Sequence, residues 1–389
     1  MSSVLKGKSY LVDFDRVLFV TALALTIFGI YLQFNIATSL GDNFQMNMFL
    51  NQLRSLVLAV VIFSVVFFIP NLSKLLYAGS FWFLLIMIGL LIYVLFFGQT
   101  AQGGTRWIRI LGFSFQPSQI AHPILIVFYA KYFERKQHLI KSTGFVKFFK
   151  DFRFVVLITA CVIVLIFMQR HLSTLVVLSM TLISMIFVAD FKKSLFIVLI
   201  GLILTGLFMI VNLSNDYRFA RMELWAKYSL FHKYSGKDMQ EIAADEYQVR
   251  ESLTAITHGG MFGTGSERGR AKHKFLPDVN SDYIFAMIAE QFGFIGGFIV
   301  IFLFGLFIFR AMLIGASLDS YFNMLVVIGF GMNIFITAAV NIGVALSALP
   351  STGLPLPFIS YGGSALAVNI GMLAVILNLG SKRRTVHGK

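Results

Sequence analysis

Charge is what this chain is short of: only 13% of its residues are Asp, Glu, Lys or Arg, against about 25% in an ordinary soluble domain. So few charges cannot furnish a water-facing surface for 389 residues, which excludes the soluble globular classes. Cysteine is nearly absent too. Cys161 stands alone inside an apolar run, so no intramolecular disulfide is available, and no Cys/His spacing suggests a zinc site. No metal ligand set is readable; a divalent cation is compatible with the sequence but not legible in it, and the cofactor is unknown. Proline is scarce, with seven residues, three of them gathered between Pro350 and Pro357. Acidic residues are few, 18 against 32 basic, giving a net charge of +14. In a soluble protein that excess would hint at nucleic acid; membrane topology accounts for it here, and no nucleic-acid partner is expected.

What is there in abundance is apolar: 58% of the chain, including 43 Phe. That richness in aromatics excludes disorder. A bilayer crossing takes about 20 apolar residues as a helix, and ten such stretches are predicted, at 17–37, 55–70, 76–98, 116–133, 153–169, 172–189, 194–213, 283–309, 321–345 and 360–380. The fold class is therefore an all-α polytopic membrane protein, one integral domain over 1–389. The basic start (Lys6, Lys8, Arg16) resembles a signal peptide, but the apolar stretch is too long for one and reads as an uncleaved anchor.

Basic residues then set the orientation. With the N-terminus inside, the inner segments hold 18 Lys/Arg and the short outer loops hold four, Arg54, Arg106, Arg109 and Arg170. This asymmetry predicts both termini in the cytoplasm and the long segment 214–281 outside, between the seventh and eighth spans. That segment carries ten Lys/Arg and nine Asp/Glu. Residues Tyr217 to Trp225 read as an interfacial amphipathic helix. Gly259-Gly260-Met261-Phe262-Gly263-Thr264-Gly265 reads either as a phosphate-approaching loop or as a tight turn needing positive φ. No nucleotide P-loop sequence is present. The basic run Arg268, Arg270, Lys272, Lys274 suits lipid headgroups or a pyrophosphate-bearing lipid.

Asp282 stands at the mouth of the eighth span. A partly desolvated carboxylate there suits a general base; equally, it suits a helix N-cap. Glu290 lies two turns further in, where acids are costly and often functional, though a packing role is open to it. Between the third and fourth spans, Arg106 beside Trp107 reads as a phosphate contact or as an interfacial anchor. Pro117 fits a first helical turn, and His122 follows on the same helix as either a buried hydrogen-bonding residue or a catalytic one. The proline-rich segment 349–364 cannot be regular helix, so it is predicted to wall an outward-facing cavity. Gly293 and Gly297 read as a close helix contact.

Three blocks in this order resemble the SEDS family (shape, elongation, division and sporulation). The matching pieces are Gly104-Thr105-Arg106-Trp107-Ile108 with Gln116-Pro117-Ser118; Gly259 to Gly265, then Lys272, Leu276-Pro277 and Asp282-Tyr283-Ile284-Phe285; and Leu354 through Ser364. The resemblance covers nearly the whole chain. It implies ten spans with a long outer loop, and a peptidoglycan glycosyltransferase that joins the disaccharides of lipid II, an undecaprenyl-pyrophosphate-linked precursor. It implies Asp282 as the required aspartate. Substrate contacts are expected from Arg106, Trp107, Gln116, Ser118, His122, Arg218, Lys272, Lys274, Glu290, Ser360, Tyr361, Gly362, Gly363 and Ser364.

Implied partners are a class B penicillin-binding transpeptidase, other division or elongation proteins, and membrane lipid. Residues 349–355 and the basic tail are closer to the division branch than to the elongation branch. The chain departs from the family where Glu and Lys are usual, having Gln119 and His122, and where Pro-Asp-Leu-Gly is usual, having Arg170-His171-Leu172-Ser173. A lipid flippase would need the same outward cavity and cations but no base at its rim. A non-catalytic scaffold is the third alternative, favoured by Gln119 and His122.

Overall fold

The computed structural model describes residues 10–39, 43–101, 104–110, 113–201, 205, 225, 227–228, 243–265 and 280–385. Helices dominate: α1 (Arg16–Ser39), α2 (Asn43–Phe68), α3 (Leu72–Phe97), α4 (Pro117–Arg135), the short α5 (Gln137–Ile140) and α6 (Phe145–Asp151), α7 (Arg153–Met168) and α8 (Leu172–Val188). Then come α9 (Ala243–Gly259), α10 (Ile284–Ala316), α11 (Tyr321–Ala345) and α12 (Gly363–Gly380). Six of these, α1, α2, α3, α10, α11 and α12, are long and apolar enough to cross a membrane, and α6 with α7 makes a bent pair, turned by 87°, that passes the same test. Helices α4 and α8 complete the bundle but are shorter or more polar. Residues 193–201 are helical; most of the expected seventh span, the 217–225 helix and the basic run after Gly265 lie outside the described residues.

Large apolar side chains cover the outside of the bundle: Val57, Trp82, Ile86, Phe96 and Phe302 are all exposed. In water such a surface would aggregate; in lipid it is the solvated face. This is a multi-pass membrane protein. Helix α11 runs through the centre, packed on α10, α8 and α4, while α12 packs on α2.

Two differences from the sequence reading have plain causes. The second helix begins at Asn43, well before the apolar run at 55–70, because Asn51, Arg54 and Ser55 lower the hydropathy of a helix that continues through them to wall a cavity. The loop after α3 is an antiparallel sheet, β2 (Gln99–Ala101), β3 (Gly104–Ile110) and β4 (Phe113–Phe115), in the order β2-β3-β4.

The chain ends meet at one face of the bundle. Strand β1 (Tyr10–Asp13) pairs antiparallel with β5 (Lys382–Thr385), with Tyr10 opposite Thr385 and Asp13 opposite Lys382. Beside this pair, Asp15 accepts the Leu18 amide at 2.7 Å and forms an ion pair with Arg310 of α10. Strands β1 and β5 are thus on one side, and the β2–β4 sheet and the start of α12 are on the other.

Helix α10 is broken at Gly293, whose φ of 66° and ψ of −166° are not helical. The turn after α9 fills the break. Thr264 N–H donates to Glu290 O at 2.9 Å, Gly265 N–H to Gln291 O at 3.1 Å, and Phe294 N–H to Gly260 O at 2.8 Å. Gly260, Gly263 and Gly265 all have positive φ, so the tight-turn reading of 259–265 holds. The amides of Gly263, Thr264 and Gly265 are already bonded to backbone carbonyls, which leaves them no role as a phosphate cradle. Gly293 is a helix break, while Gly297 packs under the Phe285 ring.

Candidate active site

On the face opposite the termini a cavity of about 980 Å³ opens between α2, α4, α12, the β2–β4 sheet and the segment 349–364. Its wall is laid down by helical periodicity. Asn51, Arg54, Ser55, Leu58, Ile62 and Val66 recur along one stripe of α2. Gln116, Gln119, Ile120, Pro123, Ile124 and Val127 do the same along the start and body of α4. Both stripes pass from polar at the mouth to aliphatic below, so the cavity has a charged rim and an apolar floor.

Asp282 lies at the rim, half-buried, with Ser281 beside it. The N-cap position of α10 is taken by Tyr283, whose side chain makes no capping bond. Instead its backbone is pinned to the irregular segment. Asn341 Nδ2 donates to Asp282 O at 3.0 Å and to Leu354 O at 2.6 Å. Ser360 Oγ donates to Ser281 O at 2.6 Å and accepts the Leu356 amide at 2.8 Å. Tyr361 N–H donates to Asn280 O at 2.8 Å. Gln52 closes the corner, donating to Ser360 O and accepting the Gly362 amide. Segment 349–364 is therefore the predicted non-helical wall, its backbone satisfied by buried protein groups as membrane depth requires.

Opposite the carboxylate are cations. Arg54 and Arg106 are the only Lys or Arg lining the cavity among the described residues, and Asp282 is the only acid. The Arg106 guanidinium rests on the turn between α7 and α8, with Nε donating to Gln169 O at 3.2 Å and Nη2 to Arg170 O at 2.6 Å. Such a rim draws an anion toward a single carboxylate. No group of three or more His, Cys, Asp or Glu that could hold a metal ion occurs among the described residues.

Parts of all three motif blocks meet at this one cavity. Arg106, Trp107, Gln116, Tyr361, Gly362, Gly363 and Ser364 line it together with Asp282. Four expected contacts do not. Ser118 is buried and bonded to His171. His122 Nδ1 is paired with Asn333 Oδ1 at 2.8 Å inside the bundle, the buried hydrogen-bonding role. Ser360 is spent on backbone. Glu290 is fully buried under α9, 3.4 Å from His258 Nδ1, the packing role. Arg218, Lys272 and Lys274 lie outside the described residues. The sequence reading missed Arg54, Asn51, Gln119 and His171 as lining groups; the i, i+3, i+4 spacing of Asn51, Arg54 and Ser55 was the available signal for the first two.

A family model, FtsW/RodA/SpoVE, described as cell cycle protein, matches residues 15–385. The chain belongs to the FtsW/RodA/SpoVE family. The resemblance read from the motifs is borne out. A probable peptidoglycan glycosyltransferase FtsW from Aliivibrio salmonicida is 33% identical over 380 residues, covering 95% of this chain and 89% of the relative. Stage V sporulation protein E of Bacillus subtilis is 31% identical over 372 residues, covering 94% and 96%. In fold, this FtsW/RodA/SpoVE member is similar to rod shape determining protein RodA of Thermus thermophilus, with a TM-score of 0.67 at 22% identity over 95% of this chain and 97% of that one. It is likewise similar to a chain of a peptidoglycan synthase complex, with a TM-score of 0.75 at 22% identity over 95% and 98%.

Proposed function

We propose that this protein is a peptidoglycan glycosyltransferase that polymerises lipid II at the outer face of the bacterial cytoplasmic membrane, in septal wall synthesis. The observation that carries this reading is the placing of Asp282 on the same rim as Arg54 and Arg106, above an apolar floor. The acceptor sugar hydroxyl gives its proton to the Asp282 carboxylate. Its oxygen attacks the anomeric carbon of the donor, the bond to the pyrophosphate oxygen breaks, and that oxygen leaves with the electron pair. Arg106 and Arg54 stabilise the charge that develops on the pyrophosphate, while the aliphatic stripes of α2 and α4 receive prenyl chain. A good leaving group of this kind needs one base and no second carboxylate.

The relatives' name, peptidoglycan glycosyltransferase FtsW, supports the substrate class and the septal role. In this reading the chain is one domain of ten spans with cytoplasmic termini, the segment 214–281 projects outward as part of it, and Lys272 and Lys274 join the cations around the pyrophosphate. The partner is a class B penicillin-binding transpeptidase, and other division proteins assemble around the pair.

The test is to purify the protein with such a transpeptidase and supply labelled lipid II. Glycan chains resolved by electrophoresis are the expected product. Lipid II crossing vesicle membranes without any polymer would replace the polymerase with a flippase.

A further inference from the structure

The mechanism above leaves a buried histidine in the cavity wall without a role. His171 lines the cavity, is 4% exposed, and directly follows the two residues whose carbonyls hold Arg106. That turn closes α7 with its own backbone bonds, Arg170 N–H to Phe167 O at 2.9 Å and His171 N–H to Ile166 O at 3.4 Å. Arg170 is in the left-handed region at a φ of 56°, a position that glycine usually fills. The side-chain anchoring of the turn comes from His171.

The His171 ring supplies that anchoring. Three side chains approach its Nδ1, Thr174 Oγ1 at 2.7 Å, Ser118 Oγ at 3.2 Å and Gln116 Nε2 at 3.2 Å, and Thr174 Oγ1 is also 3.2 Å from Nε2. Nδ1 carries one lone pair or one proton, so it bonds one of these partners at a time. The ring thereby ties the start of α8 to the start of α4. Gln116 carries the connection onward: its backbone N–H donates to Ser364 Oγ at 3.2 Å, and Ser364 Oγ donates to Ser114 O at 2.9 Å. One continuous polar chain thus runs from the Gly363-Ser364 corner through Gln116 and His171 to the turn beneath Arg106.

We propose that neutral His171 is a positioning residue for anion binding: it clamps the α7–α8 turn so that the Gln169 and Arg170 carbonyls present the Arg106 guanidinium to a lipid pyrophosphate. Burial, and then the positive charge of Arg106, push the His171 pKa down to about 3, which keeps the ring neutral at working pH. The identity of the ligand rests on the polymerase reading; the coupling of His171 to Arg106 does not.

The test is a double-mutant cycle on the full chain in nanodiscs, read by equilibrium binding of undecaprenyl pyrophosphate. A hydrogen bond to a charged group sets the scale, so Arg106→Ala is expected to weaken binding about 30-fold and His171→Ala about 10-fold. Because the second acts through the first, the double variant is expected to remain near 30-fold rather than reach about 300-fold. His171→Asn, whose Oδ1 can stand where Nδ1 stands, is expected to bind within about threefold of wild type and to fold if the alanine variant does not. Multiplied losses, or wild-type binding by His171→Ala, would overturn the proposal, as would a wild type that does not bind the probe. Binding without polymer would overturn the polymerase reading alone.

Discussion

Gly353 stands directly against the Asp282 carboxylate: a Cβ placed on it would lie 3.5 Å from Oδ2. The proline-rich segment thus reaches the Asp282 carboxylate itself, and Ser173 of α8 donates to the carbonyl of the preceding residue, Thr352. Gly353 has a φ of 70°, so alanine there meets backbone strain of about 1–2 kcal/mol. Any relief moves the wall beside Asp282. Gly353→Ala is expected to fold, with a modestly lowered melting temperature, and to lose glycan synthesis about tenfold, the size expected when a reacting group is displaced by a fraction of an ångström. Rates normalised to folded protein check this.

The break in α10 predicts a different phenotype. A Cβ on Gly293 would lie 2.5 Å from the Met261 carbonyl oxygen, and one on Gly263 would lie 2.7 Å from the Gly293 amide nitrogen. Both glycines also have positive φ. Neither neighbour is a flexible side chain that could step aside. Gly293→Ala and Gly263→Ala are each expected to destabilise by at least about 3 kcal/mol, among the large effects for single substitutions, and to show it as a fall in detergent melting temperature and yield.

His171 gives the protein a signed pH dependence. Its pKa falls from 6.5 to about 3, through burial first and the Arg106 charge second. Between those values the unfolded chain binds a proton that the folded chain refuses, so stability decreases as pH falls below 6.5. At pH 5 the loss attributable to this group is about 2 kcal/mol. Melting curves from pH 7.5 to pH 4.5 should show the decline, and His171→Asn should flatten it.

Glu290 is expected to matter for folding and not for turnover. Its side chain is fully buried with His258 3.4 Å away, and it lies outside the cavity lining. Glu290→Ala removes the buried partner of half-exposed His258 from the α9–α10 contact, at a cost of about 1–3 kcal/mol. Turnover per folded molecule is expected to remain within about twofold, well under the factor of ten that 1.4 kcal/mol of barrier would produce.

Composition was enough to read the membrane class, because lipid demands long apolar helices and those cannot be hidden in a sequence. The ends of α3, α7, α8 and α11 fall within a few residues of the apolar runs. On α2 the same signal stops short, because Asn51, Gln52, Arg54 and Ser55 interrupt the apolar run of a helix that begins at Asn43; α4, Pro117–Arg135, falls within two residues of the 116–133 stretch. The sheet β2–β4 was illegible because β2 and β4 are only three residues long and the adjacent apolar pair Trp107-Ile108 breaks the alternation of β3.

The site was legible as three motif blocks, of which the fold brings Arg106, Trp107, Gln116, Asp282 and Tyr361 to Ser364 to one cavity, while Gly259 to Gly265 fills the break in α10 instead. Single polar residues were read less well. From sequence, Arg54 reads as a topological charge and His171 only as a departure from the family pattern. Ser118, His122 and Glu290 were expected at the substrate because an intramembrane polar group could serve either chemistry or packing, and only the burial and partners of each distinguish the two.

The central claim is that Asp282 removes the acceptor proton. The direct measurement is the initial rate of glycan formation from labelled lipid II by wild type and by Asp282→Asn, each assembled with the transpeptidase and shown to bind lipid II equally. The account predicts that the isosteric amide, which cannot take a proton, loses at least about 10²-fold in rate, the usual contribution of general base catalysis. Equal rates from the two proteins would contradict it.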